Sequence, residues 1–174
     1  MGIQFETDYN METLTAMAKS LRKTVRKKRS RRVHIFAAVV LILGLLTILA
    51  TTAGGEPLGA SGVVTLLAML VVILVSLFED KLNAWFARKR LLPGTEHAVA
   101  TFEEDGYVSA TGVTESRFSY AQIVAVAETA RYFVFALSSH HTQAYDKRTI
   151  RGGSVEDFRA FIAEKTGKLV EKIK

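Results

Sequence analysis

The stretch VHIFAAVVLILGLLTILATTA, residues 33–53, and its companion LGASGVVTLLAMLVVILVSLF, residues 58–78, decide how the rest of this chain is read. Neither contains Asp, Glu, Lys or Arg, and Leu, Ile and Val dominate both. A bilayer core of about 30 Å takes roughly 20 apolar residues in a helix. The pair therefore predicts a membrane hairpin, with spans at 33–53 and 58–78 and an external loop at 54–57. A cleaved leader is the competing reading of the first run, because Thr51-Thr52-Ala53 is a passable exit. The apolar stretch is too long for a usual leader core, and its basic lead-in is long as well.

Charge orients the hairpin. Lys19, Arg22, Lys23, Arg26, Lys27, Lys28, Arg29, Arg31 and Arg32 precede the first run. Lys81, Arg88, Lys89 and Arg90 follow the second, and the loop Gly54-Gly55-Glu56-Pro57 has no Lys or Arg. Basic residues close to the membrane ends stay on the cytoplasmic side. The expectation is a multi-pass protein of the cytoplasmic membrane with both termini inside. The net charge of +6 sits beside the runs, while residues 94–174 are nearly neutral. Such a basic excess suits nucleic acid in general. Next to a span it suits anionic headgroups, worth about 1 kcal/mol per basic residue. Lipid is therefore the expected partner and nucleic acid is not.

The flanking segments carry their own periods. Ile3-Gln4-Phe5-Glu6 alternates as a short strand. Asp8 and Asn10 offer helix caps. From Met11 to Arg32, Leu14, Met17, Ala18, Leu21 and Val25 form one helical stripe apart from the basic residues. Residues 1–32 thus read as a strand and a basic amphipathic helix. That helix either rests on a membrane surface or packs on the cytosolic domain, and the stripe alone does not choose. Residues 79–93 read as an interfacial helix and linker, with Trp85 and Phe86 at headgroup level. Pro93-Gly94 closes it.

From 94 to 174 the pattern is short strands and one helix. Ala98–Glu103, Tyr107–Thr111, Glu115–Ser119, Ile123–Thr129, Tyr132–Ser138 and Thr142–Asp146 are six strand candidates, with Ile3–Glu6 a seventh. Asp105-Gly106 is a hairpin signal. Ser154 caps a helix whose stripe is Val155, Phe158, Ile162, Leu169 and Ile173. Gly167 weakens it, so it bends or ends early there.

Chemistry is sparse. A P-loop and an HExxH are both missing. The chain has no cysteine, which excludes disulfides, thiolate catalysis and cysteine-ligated zinc. His140-His141 would point apart on a strand end, so no metal is expected. Ser138, Ser139 and His140 are neighbours in sequence, which is no sign of a nucleophile meeting its base. Glu103-Glu104-Asp105 reads as a solvated edge. No catalytic residue and no cofactor is expected. One constellation stands out: Lys147, Arg148 and Arg151 lead into Gly152, Gly153 and Ser154 at a helix start. Free N–H groups there can hold an anion such as a lipid headgroup. An ordinary solvated helix-entry loop is the preferred reading of the same residues.

The segments TFEEDGYVSAT at 101–111, SYAQIVAVAETARYFVFALS at 119–138, YDKRTI at 145–150 and SVEDFRAFIAEK at 154–165, together with the two-span layout, resemble the YcxB-like family of bacterial membrane proteins. Tyr120 and Asp146 stand where that pattern often carries Trp and Pro. The resemblance implies an α+β membrane protein. Its hairpin would be joined to a cytosolic pleckstrin-homology-like barrel or sheet of about seven strands, capped by the C-terminal helix. It implies no activity. The expectation is a non-enzymatic scaffold that binds a protein or lipid, with homo-oligomers allowed by small residues such as Gly44 in the spans. An accessory subunit of a transporter or channel is the second reading.

Overall fold

Residues 3–8 and 97–102 lie on opposite sides of the apolar hairpin in sequence, yet they pair as adjacent antiparallel strands. The computed structural model describes residues 2–55 and 57–173; the external-loop reading at Glu56 and the charge at Lys174 lie outside them. The element order is β1 (Ile3–Asp8), α1 (Met11–Lys23), α2 (Lys27–Ala53), α3 (Ala60–Leu77), α4 (Glu79–Lys89), β2 (His97–Phe102), β3 (Tyr107–Thr111), β4 (Glu115–Phe118), β5 (Ala125–Glu128), β6 (Tyr132–Ala136), β7 (Thr142–Asp146), α5 (Val155–Thr166) and β8 (Val170–Lys172). The architecture is α+β. Among the described residues there are eight strands in two four-stranded sheets, β1-β2-β3-β4 and β7-β6-β5-β8, and no closed barrel. The expected count of about seven is corrected by β8, which pairs parallel to β5.

An aromatic core lies between the sheets. Phe5 and Phe102 come from the first sheet, Phe133, Phe135 and Tyr145 from the second, all buried. α5 supplies Phe158, whose ring centre is 4.6 Å from that of Phe5, 4.8 Å from Phe102 and 5.0 Å from Phe133. Edge-on pairs of this kind add to the area term. The helix starts at the Ser154–Asp157 capping box. It stops at Gly167 in the left-handed conformation (φ 63°). The expected longer stripe is therefore cut, and Leu169 stands 89% exposed.

β6, read YFVFA, is buried along its whole length because the second sheet is covered on both faces. Phe133 and Phe135 face the aromatic core, while Tyr132 and Val134 form a second cluster against Ala16 and Met17 of α1. The amphipathic helix is thus packed on the domain, with Ala16 and Met17 against the sheet and Leu14, Ala18 and Leu21 on the side of α4. Asn10 caps it, accepting from the backbone N–H groups of Glu12 and Thr13 at 2.9 and 3.0 Å. The single helix expected to reach Arg32 instead ends at Lys23, and Lys27–Arg32 open α2. α1 also packs along α4.

α2 and α3 are long and apolar enough to cross a membrane. They pack side by side and bury no residue fully, so most of their leucines, isoleucines and valines are exposed, while Val40, Leu41, Ile48 and Val72 are half-buried. At Gly44 a Cβ would meet the Met69 sulfur at 2.8 Å, so the helices approach closely there.

Candidate functional site

The loop at 147–154, read in sequence as a solvated helix-entry loop with an anion site as the alternative, holds its cations in pairs within the chain. Lys147 donates to Glu128 Oε1 at 3.0 Å and to the Thr129 carbonyl at 2.7 Å. Arg148 donates to both carboxylate oxygens of Asp146, at 3.2 and 3.0 Å. Arg151 pairs with Glu6 at 3.1 Å. Each of the three cations thus has a carboxylate partner. Gly152 has φ +83°, and a Cβ on it would sit 2.4 Å from the Gly2 carbonyl oxygen. The space beside Gly153 holds the Ile3 side chain at 3.4 Å. The glycines let β1 approach the loop, with Gln4 and Arg151 exchanging backbone hydrogen bonds at 2.9 Å. Ser154 donates its N–H and Oγ–H to Asp157, so a carboxylate already occupies the helix start. The geometry does not converge these six residues on a ligand.

Glu128 is a heavily paired acid of the loop region. It is 6% exposed and receives two hydrogen bonds from Arg159, at 2.7 and 2.8 Å, besides the one from Lys147. The Arg159 hydrogen bonds hold its carboxyl down at about 2; Lys147 adds to them and burial opposes them. Asp146, also buried, is shared by Arg131 and Arg148, and Arg131 reaches on to Glu12 of α1. Tyr120 brings its hydroxyl within 2.6 and 2.9 Å of the Glu103 and Gly106 carbonyls. Both departures from the family pattern therefore have local partners.

At Asp105-Gly106 the glycine serves close approach, because a Cβ would lie 2.5 Å from the Phe118 carbonyl oxygen. Four strands end the two sheets: β1 and β4 the first, β7 and β8 the second. β4 is exposed at Glu115, Ser116 and Arg117 and the short β8 at Glu171 and Lys172, whereas β7 is largely buried and β1 is bridged to Arg151. Ser139 Oγ and His140 Nδ1 lie 2.7 Å apart on an exposed loop.

The basic residues around the hairpin divide into two kinds. Arg22 is committed: it donates to both oxygens of Asp80 at 2.7 and 2.6 Å, with Glu79 at 3.9 Å. His34 lies 3.8 Å from the same Glu79. This junction of α1, α2 and α4 was missed in sequence, although opposite charges at Arg22 and at Glu79-Asp80 on either side of the runs were the signal for it. Lys19 and Lys23 are half-buried, while Lys27, Lys28, Arg29, Arg31, Arg32, Arg88, Lys89 and Arg90 are exposed. Trp85 and Phe86 are exposed and meet edge to face, with Lys89 Nζ 3.7 Å from the centre of the Trp85 ring. A groove of about 650 Å³ lies between α1, the start of α2, α4 and the loop carrying His140.

Compared with known proteins, residues 102–162 match the family model of the YcxB-like protein. This agrees with the resemblance carried by the segments at 101–165 and covers about a third of the chain. No curated protein and no solved structure matches it.

Proposed function

We propose that this protein is a two-span membrane anchor that presents a pleckstrin-homology-like domain on the cytoplasmic face, where the domain binds a protein or lipid partner without catalysing a reaction. The observation that carries the reading is the pairing of β1 with β2 across the hairpin. Strands that pair must share a compartment, which supports an even number of crossings. The basic residues on both flanks favour the cytoplasmic side for that compartment. The open edge of β4 is a ready template for an extended peptide, which would gain main-chain hydrogen bonds by strand addition.

The unburied flanks of α2 and α3 favour one other reading, an accessory subunit whose spans pack on a larger membrane protein. Photo-crosslinking groups at Ser116 on β4 and at Phe36 and Val64 on the outward helix faces separate the two in native membranes. The scaffold reading expects a defined adduct from Ser116. Adducts from Phe36 and Val64 alone would replace it with the subunit reading. Absence of any protein or lipid adduct at Ser116 counts against binding at that edge.

A further inference from the structure

The groove between α1, α2 and α4 combines two chemistries that meet in an amphiphile. Its basic side contains Arg26, Arg29 and Arg90. Arg26 spends one N–H on the Ser139 carbonyl at 2.6 Å. Among the described residues no carboxylate lies within 4 Å of any of the three; Glu79, the acid lining the groove, faces Arg22 and His34 instead. Its apolar side contains Leu21, Val33 and Phe86. Val33 is the first residue of the first apolar run, so the groove opens where the proposed bilayer begins. Guanidinium groups suit phosphate oxygens because their planar fork gives paired hydrogen bonds. Basic pockets between helices on the cytoplasmic side are recurrent sites for anionic lipid heads. The groove volume lies in the range of small-ligand sites.

We propose that this groove binds one anionic phospholipid of the cytoplasmic leaflet. The phosphate sits at Arg26, Arg29 and Arg90, and the first part of the acyl chain lies along Val33 and Phe86. Charge complementarity and continuity with the apolar run argue for this occupant. The inference rests on reading α2 and α3 as spans. Its consequence is that headgroup occupancy would fix the angle at which the domain, held through α1, meets the membrane.

Trp85 is the chain's single tryptophan and neighbours Phe86, so it reports on the groove. The full chain is reconstituted in phosphatidylcholine vesicles in which about one lipid in ten is brominated, either phosphatidylglycerol or phosphatidylcholine. Brominated phosphatidylglycerol is expected to quench Trp85 roughly threefold or more over its zwitterionic counterpart. R29Q/R90Q and R26Q/R29Q/R90Q should abolish that preference, and the double variant touches only residues without a carboxylate partner. K27Q/K28Q/R32Q removes three charges outside the groove and should keep most of it. Equal quenching by the two lipids overturns the site while leaving the spans intact. Equal loss in the groove and control triple variants means diffuse attraction and also overturns it. Loss of the preference on adding soluble glycerol phosphate would reassign the groove to a free anion. No quenching when all the phosphatidylcholine is brominated overturns the membrane reading, and the proposal with it.

Discussion

Glu128, held between Arg159 and Lys147, ties β5 to α5 and to the loop after β7. A carboxyl whose folded value is about 2, against 4.5 when free, favours the folded state. The sign is that of a depressed acid: the contribution is complete above about pH 4.5 and is lost as pH falls toward 2. The shift corresponds to about 3 kcal/mol. Glu128→Gln is therefore expected to lower stability at neutral pH by about that amount, read as thermal unfolding in mild detergent. The variant and parent should draw together as pH falls below about 4.5 and converge at about pH 2; curves that stay parallel down to that pH would contradict the assignment. Gln143 is the neutral counterpart in the core. Its Oε1 accepts from the hydroxyls of Tyr107 and Tyr145, at 2.8 and 2.7 Å. Burial, the largest cause, raises both tyrosines above their ordinary range. The partnerships of Glu128, and of Gln143 with Tyr107, were not readable in sequence, because the residues joined are far apart along the chain. The glycines at 152–153 illustrate this: they suggested a phosphate cradle, but what approaches them is the backbone at Gly2 and the side chain of Ile3.

At the scale of elements, period and turn chemistry were enough wherever the pattern was local. Tyr107–Thr111 and Thr142–Asp146 match β3 and β7 end to end, and the Ser154 cap starts α5 as read. β8 was not legible, being three residues, two of them charged, that gain strand geometry only from β5. α1 had a clear stripe but no local sign of what would cover it; the answer was α4 together with the sheet carrying Tyr132 and Val134. β1 matters most to the core, since Phe5 is fully buried against four aromatic rings. Phe5→Ala is expected to cost about 3–5 kcal/mol in the same unfolding measurement. By the same reasoning residues 94–174 expressed alone, lacking β1 and α1, should not give a cooperative melt. A stable, cooperatively folding 94–174 fragment would show that β1 is dispensable. Ser20 on α1 is the opposite case, because its buried Oγ has no hydrogen-bond partner among the described residues. Ser20→Ala is expected to leave stability unchanged or raise it by about 1 kcal/mol. A clear loss would mean the hydroxyl has a partner or a role.

Over the whole molecule, one domain is assembled from both ends of an apolar hairpin. α1 and α4 form the link, with Arg22 and Asp80 fastening them where the hairpin meets the domain. The hairpin was legible from length and composition alone. The way it docks on the domain was not, because that depends on contacts between segments some sixty residues apart, such as Arg22 with Asp80. The chain has no cysteine, so an introduced pair is unambiguous. Gln4 and Thr101 are direct cross-strand partners on β1 and β2. The most direct test is oxidation of the full-length variant Gln4→Cys/Thr101→Cys in native membranes, with Gln4→Cys/Leu169→Cys as control. Rapid, near-complete disulfide formation in the first variant only is the expected result, since it requires head and tail to be side by side in one compartment. Linkage no faster than in the control would contradict the split domain and the membrane arrangement built on it.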